Sequence, residues 1–153
     1  MEYITSGPLT EPQVLRLASE LISKRYQRGT SLTSPEASRE LFKSRLAWQE
    51  REIFAVAYLD NQHRLIELAE PFMGSISTAQ VYPREIAKQA LSLNAAAVIF
   101  AHNHPSGVAE PSQSDRTLTR QLQQALELFE IRVLDHLVIG GDTVVSFAER
   151  LWL

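Results

Sequence analysis

The sequence has no cysteine among its 153 residues. Missing thiols exclude disulfides and every zinc site built on thiolate. Zinc fingers, zinc ribbons and the Pro-Cys-x-x-Cys signature of nucleobase deaminases are therefore ruled out. Any zinc site in this chain has to use histidine and carboxylate. Basic residues are not in excess either: 15 Lys and Arg against 18 Asp and Glu give a net charge of −3. That balance does not support a broad nucleic-acid-binding surface. Long apolar runs are also missing. The longest, "NAAAVIFA", is far too short to span a bilayer. The opening "MEYITSGPLTEPQ" has neither the basic region nor the apolar run of a signal peptide. The expectation is a cytoplasmic protein with no membrane association.

What is present suits one compact α/β domain. Hydrophobic residues make up 44% of the chain, enough to build a core at this length. Residues 11–27 carry apolar side chains at helical spacing, and Ser34-Pro35-Glu36 opens a second helix running to about Trp48. "REIFAVAYLD" is apolar at both parities, which predicts a strand buried on both faces. "DNQH" is a turn by composition, and "RLIELAEPFMGSI" reads as a half-exposed hairpin partner, with Pro71 and Gly74 marking a bend. A helix over "YPREIAKQALSLN", a short central strand "AAAVIFA", and a helix over "QSDRTLTRQLQQALELFE" follow. "IRVLDHLVIG" and "TVVSFAE" read as a closing hairpin turned by Gly-Asp. Strands and helices mix, so a mixed sheet is expected.

Two of the four histidines fall in "AHNHPSGVAEPSQSD", just after the central strand. Loops at the carboxyl ends of strands are the usual place for sites in open α/β sheets. If extended backbone continues through the motif, His102 and His104 point the same way. Asp115 returns eleven residues later, in the first turn of the next helix. Two imidazoles and one carboxylate are a sound ligand set for a catalytic zinc, with the fourth position open. A plainer reading stands beside it. Ser112-x-x-Asp115 also fits a helix capping box, and the histidines can be ordinary loop residues. A carboxylate oxygen cannot fully serve a cap and a metal at once. A zinc hydrolase also needs a base. Glu52 and Glu50 share the parity of Phe54 and Val56 and are rivals for that role, or both are solvated acids after a helix.

Together these residues resemble the JAMM motif of the MPN-domain metalloproteases. That pattern is an upstream Glu, then His-x-His-Pro, with seven residues between the second His and a Ser, two more, then Asp. Here Pro105 to Pro111 fill the seven positions, and Gln113 and Ser114 the two. The form "HNHPSG…PS..D" is similar to the bacterial RadC branch. "SPEASRELF", "YLDNQHRLI", "VYPREIAKQAL" and "RVLDHLVIG…VSFAERL" extend the likeness over about Leu32–Leu153. The resemblance implies an α-β-α sandwich related to the cytidine deaminases, one zinc per chain on His102, His104 and Asp115, and Ser112 as an oxyanion donor. It also implies Glu52 rather than Glu50 as the base, because the branch reads Glu-x-Phe before its strand. It divides the chain into an N-terminal helical segment, 1–31, and a metalloprotease domain, 32–153.

There are departures from the family. RadC chains commonly carry an N-terminal helix-hairpin-helix-like region. The residues before Leu32 are too few for it and lack its Gly-rich hairpin. The family Gly-Thr after the second strand is Gly74-Ser75 here. The expected activity is zinc-dependent cleavage of an amide bond in a protein or peptide. The alternatives are a zinc hydrolase with a non-peptide substrate, or a non-catalytic or DNA-repair-associated binding module. A homodimer is compatible with the sequence. Of the remaining histidines, His136 reads as a hydrogen-bonded structural residue and His63 as a solvent-exposed turn residue. Arg84-Glu85 reads as a helix-start ion pair.

Overall fold

The computed structural model describes residues 2–73 and 81–153. Helices α1 (Glu11–Arg25) and α2 (Pro35–Leu46) come first, followed by strands β1 (Ile53–Leu59) and β2 (Leu65–Met73) and helix α3 (Pro83–Ser92). Strand β3 (Ala97–Asn103), helix α4 (Gln113–Glu127) and strands β4 (Arg132–Gly140) and β5 (Thr143–Ser146) complete the chain. The strands form one sheet in the order β2-β1-β3-β4-β5. Among the described residues, β3 and β4 run parallel and the other neighbouring pairs are antiparallel.

Local chemistry explains the helix starts. Ser34 Oγ accepts the Ala37 N–H at 3.1 Å, and Pro35 takes the first helical position, where its missing donor costs nothing. Thr10 and Gln13 form a reciprocal cap at the start of α1. In the β1–β2 turn, Asp60 Oδ1 accepts the N–H groups of Gln62 and Arg64, both at 2.9 Å.

The uninterrupted apolar runs of β1 and β3 are explained by burial on both faces. One face sets Ile53, Ala55, Ala57, Leu59, Ile99 and Ala101 against Leu41, Phe42 and Leu46 of α2. The other sets Phe54, Val56, Tyr58, Val98 and Phe100 against Ile86 and Ala90 of α3 and Leu122 and Leu126 of α4. Each large side chain so buried stabilises the fold by about 1.5–3 kcal/mol relative to exposure. The result is the α-β-α sandwich with a mixed sheet. The residues after α1 are stitched to β2: Gly29 N–H donates to Leu65 O and Leu65 N–H to Thr30 O. The pairing of β1 with β2 slips between Phe54 and Val56, opposite Ala69–Phe72, which places the irregularity around Pro71. Gly74 and Ser75 lie outside the described residues. No described helix is long and apolar enough to cross a membrane.

Candidate metal centre

Strand β3 runs two residues beyond the apolar run, through His102 and Asn103. Pairing with β4 carries it there: His102 lies beside Val138, and the His104 N–H donates to Ile139 O at 2.8 Å. The backbone is thus extended through the motif, and the two histidines share one side. Gly107, at φ +87°, then turns the chain, and its N–H donates to His104 O. Ser112 caps α4, which brings Asp115 back over the end of β3.

The three side chains converge. His102 Nε2 and His104 Nε2 are 3.0 Å apart, and the Asp115 oxygens lie 3.4 and 3.3 Å from them. One ligand atom from each residue falls within a 4.8 Å span. The capping box forms as well. Ser112 Oγ accepts the Asp115 N–H at 3.0 Å, and Asp115 Oδ2 accepts the Ser112 N–H at 2.8 Å. Cap and cluster coexist because only one carboxylate oxygen is shared: Oδ2 accepts the cap N–H and also faces His104, whereas Oδ1 has no part in the cap and faces His102.

The donor set fits a cation. His104 Nδ1 lies 2.8 Å from Val108 O, a carbonyl that can only accept, so Nδ1 carries the hydrogen. In the neutral ring Nε2 then presents a lone pair to the cluster; in the protonated ring it donates to Asp115. Burial alone would raise the Asp115 carboxyl. Both imidazoles donate to it when protonated, and these bonds, their charge and the Ser112 N–H together outweigh burial and hold it far below the usual carboxylate range. In turn the bond to Asp115 raises His104 above its ordinary value, against desolvation, with the Val108 carbonyl and the charges of Asp115 and Glu52 adding to it. A group of two imidazoles and a carboxylate that favours positive charge could hold a metal ion.

Glycine at position 140 is part of this geometry. A Cβ there would come within 2.4 Å of Ala109 N and 2.6 Å of the Val108 carbonyl carbon. Both are main-chain atoms of the loop that orients His104. Gly140→Ala should therefore push the loop away, cost about 1–3 kcal/mol by overpacking, and weaken metal binding. Thermal melts with and without zinc would measure both; an unchanged melting temperature and zinc affinity would refute the claim.

A cleft of about 370 Å³ opens beside the cluster, lined by Glu52, His104, Pro105, Ser106, Ser112, Ser114 and Asp115. Glu52 is half-buried there, whereas Glu50 is exposed and does not line it. Larger grooves lie between α1 and α2 and beside β4. Neither holds the three converging side chains, so chemistry and not size selects the smaller cleft.

Several contributors are invisible in the motif. Asn103, 2% exposed, turns away from the histidines. Its Oδ1 accepts the Ile53 N–H at 2.7 Å, and its Nδ2 donates to Arg51 O at 2.9 Å. It thus grips the main chain on both sides of Glu52. The middle residue of His-x-His is itself a polar residue at the end of a buried strand, and that was the available signal. His136 is fully buried and hydrogen-bonded to His102 and Thr119, in agreement with its structural reading. Burial, reinforced by the nearby His102, drives its pKa well down despite Asp115, so it stays neutral. His63 needs correction. It is half-buried rather than fully solvent-exposed and sits in the turn at φ +59°, where Arg132 at the start of β4 reaches its Nε2 at 3.3 Å. Arg84 and Glu85 do pair at 3.8 Å on the surface.

Comparison with known proteins gives a consistent picture. Residues 32–152 match the RadC-like JAB domain. Two UPF0758 proteins of Vibrio cholerae are 55% and 52% identical over 99% of this chain, which covers 95% and 96% of theirs. A UPF0758 protein of Cellvibrio japonicus is 56% identical over 92% of this chain, but that match spans only 62% of its length. The residues that build the sheet, the cluster and the cleft all fall inside the matched span, and the chain belongs to the RadC-like JAB domain family.

Proposed function

We propose that this chain is a zinc-dependent hydrolase that cleaves a peptide or isopeptide bond. In this reading His102, His104 and Asp115 hold the zinc, Glu52 is the general base, and Ser112 is an oxyanion donor. The observation that carries it is the convergence of two imidazole nitrogens and a carboxylate within 4.8 Å, beside a cleft that Glu52 and Ser112 also line. Imidazole with carboxylate suits zinc, and a site of three protein ligands leaves one position for chemistry. When bound, zinc supplies Lewis acidity that polarises a carbonyl and lowers the pKa of water toward ~7.

The chain's own groups supply the rest. Glu52 takes a proton from the attacking water as the new C–O bond forms. It returns that proton to the amine nitrogen as the C–N bond breaks. Ser112 Oγ accepts the Asp115 N–H, so its own hydrogen is free to point at a developing oxyanion. Asn103 keeps Glu52 at the cleft by holding the flanking main chain.

Zinc counted by elemental mass spectrometry, paired with hydrolysis of linear and isopeptide-linked peptides, tests the reading. About one zinc per chain with zinc-dependent cleavage is expected. No zinc uptake, even after zinc addition, would sink the metal assignment. Zinc without amide cleavage across the panel would favour a non-peptide substrate or a binding role. Ser112→Ala should lower the rate by about 10²–10³ and stability by about 1 kcal/mol, with zinc retained. A variant that loses stability but no rate would mark Ser112 as a cap only.

A further inference from the structure

We propose that Thr119 and His136 form a buried relay that fixes the tautomer of His102 and aims its Nε2 lone pair at the metal position. The inference rests on the metal reading above and adds two positioning residues from outside the motif. His136 sits on β4 beside Phe100 of β3, on the same face of the sheet as His102. Its Nε2 is 2.8 Å from His102 Nδ1, and its Nδ1 meets Thr119 Oγ1. Thr119 Oγ1 lies 2.8 Å from the main-chain oxygen of Asp115, one turn back along α4. The chain of bonds therefore begins on one ligand, His102, and ends on the backbone of another, Asp115.

Counting hydrogens gives its direction. The Asp115 carbonyl can only accept, so the single hydroxyl hydrogen of Thr119 goes to it. Toward His136 the hydroxyl is then an acceptor, and His136 Nδ1 carries the hydrogen. Phe54, Phe100 and Phe147 surround the His136 ring, with centroids 5.6, 5.9 and 4.8 Å away. A neutral imidazole in such a cage has one hydrogen, so His136 Nε2 is bare and accepts from His102 Nδ1. A neutral His102, the form that can ligate a metal, then has no hydrogen left for Nε2, the atom that faces His104 and Asp115. Reversing the chain would put a hydrogen on His102 Nε2 and block ligation. Outer hydrogen bonds of this kind are known to fix the tautomer and orientation of ligating histidines.

Removing the hydroxyl removes the reason for the direction. In Thr119→Val, His136 Nδ1–H would face a methyl group, and the ring would do better with its hydrogen on Nε2, donating to His102. Zinc affinity, measured by chelator competition, should fall by about 10–100-fold in Thr119→Val. Thr119→Ser, which keeps the hydroxyl, should stay within about threefold of the parent, well short of that loss. Long-range ¹H–¹⁵N spectra of the imidazoles should show Nδ1–H on both His102 and His136 in the parent and in Thr119→Ser, and Nε2–H on His136 in Thr119→Val. Parent-like zinc affinity in Thr119→Val would overturn the relay, as would weaker affinity with the His136 tautomer unchanged. A parent chain that took up no zinc would overturn the metal reading instead. The relay would then be judged on His136 in the zinc-free protein: Nδ1–H on that ring supports it, and Nε2–H on that ring overturns it. If Thr119→Val failed to fold, the parent and Thr119→Ser spectra would decide by the same criterion.

Discussion

Replacing His104 with alanine should empty the metal site and abolish any zinc-dependent activity while leaving the fold intact. The size of the effect follows from the ligand count. Structural zinc sites contribute about 10–16 kcal/mol over four ligands, or about 3 kcal/mol each, so losing one ligand weakens binding on the order of 10²-fold or more. The fold should survive because the His104 side chain is 17% exposed and belongs to neither hydrophobic cluster. What is lost is one imidazole and its bond to Val108 O. Elemental analysis after dialysis should find about one zinc per chain in the parent and almost none in His104→Ala, with thermal melts of the zinc-free proteins within a few degrees. A His104→Ala protein that keeps a full complement of zinc would remove His104 from the ligand set.

Glu52→Gln should behave in the opposite way, retaining zinc and losing turnover. The amide has the size of the carboxylate but cannot take a proton at neutral pH. General-base catalysis is worth about 10²–10⁴ in rate, and single-turnover hydrolysis of a verified substrate should fall by that factor. Glu50→Gln is the control, because Glu50 is exposed and does not line the cleft. Full activity in Glu52→Gln, or its loss in Glu50→Gln, would overturn the assignment of the base.

The two experiments divide one cleft into ligands and acid–base chemistry, and the sequence separates them less well than the structure does. Glu50 and Glu52 have the same strand parity, so alternation alone leaves both open. The difference lies in where β1 begins. Asn103 ties the main chain at Arg51 and Ile53 to the end of β3, and that anchor sets Glu52 at the cleft. Likewise, Ser112-x-x-Asp115 reads as a cap or as part of a metal site. In three dimensions it is a cap whose second carboxylate oxygen faces His102.

By itself the sequence determined everything that depends on near neighbours along the chain. Apolar periodicity marked the helices and the two doubly buried strands. Ser34-Pro35 and Ser112 marked helix starts, and the His-x-His spacing put two imidazoles on one side of an extended segment. These features rest on backbone geometry that repeats every two or every 3.6 residues. Tertiary structure alone decided which distant residues meet. Parallel pairing of β4 with β3 carries extended backbone through the motif and sets His136 beside Phe100, in reach of His102. The bare Cα of Gly140 admits the loop that orients His104, and Asn103 reaches back fifty positions to Ile53. No local period encodes such contacts, because strand order and register fix them, and both are set only when the whole core packs.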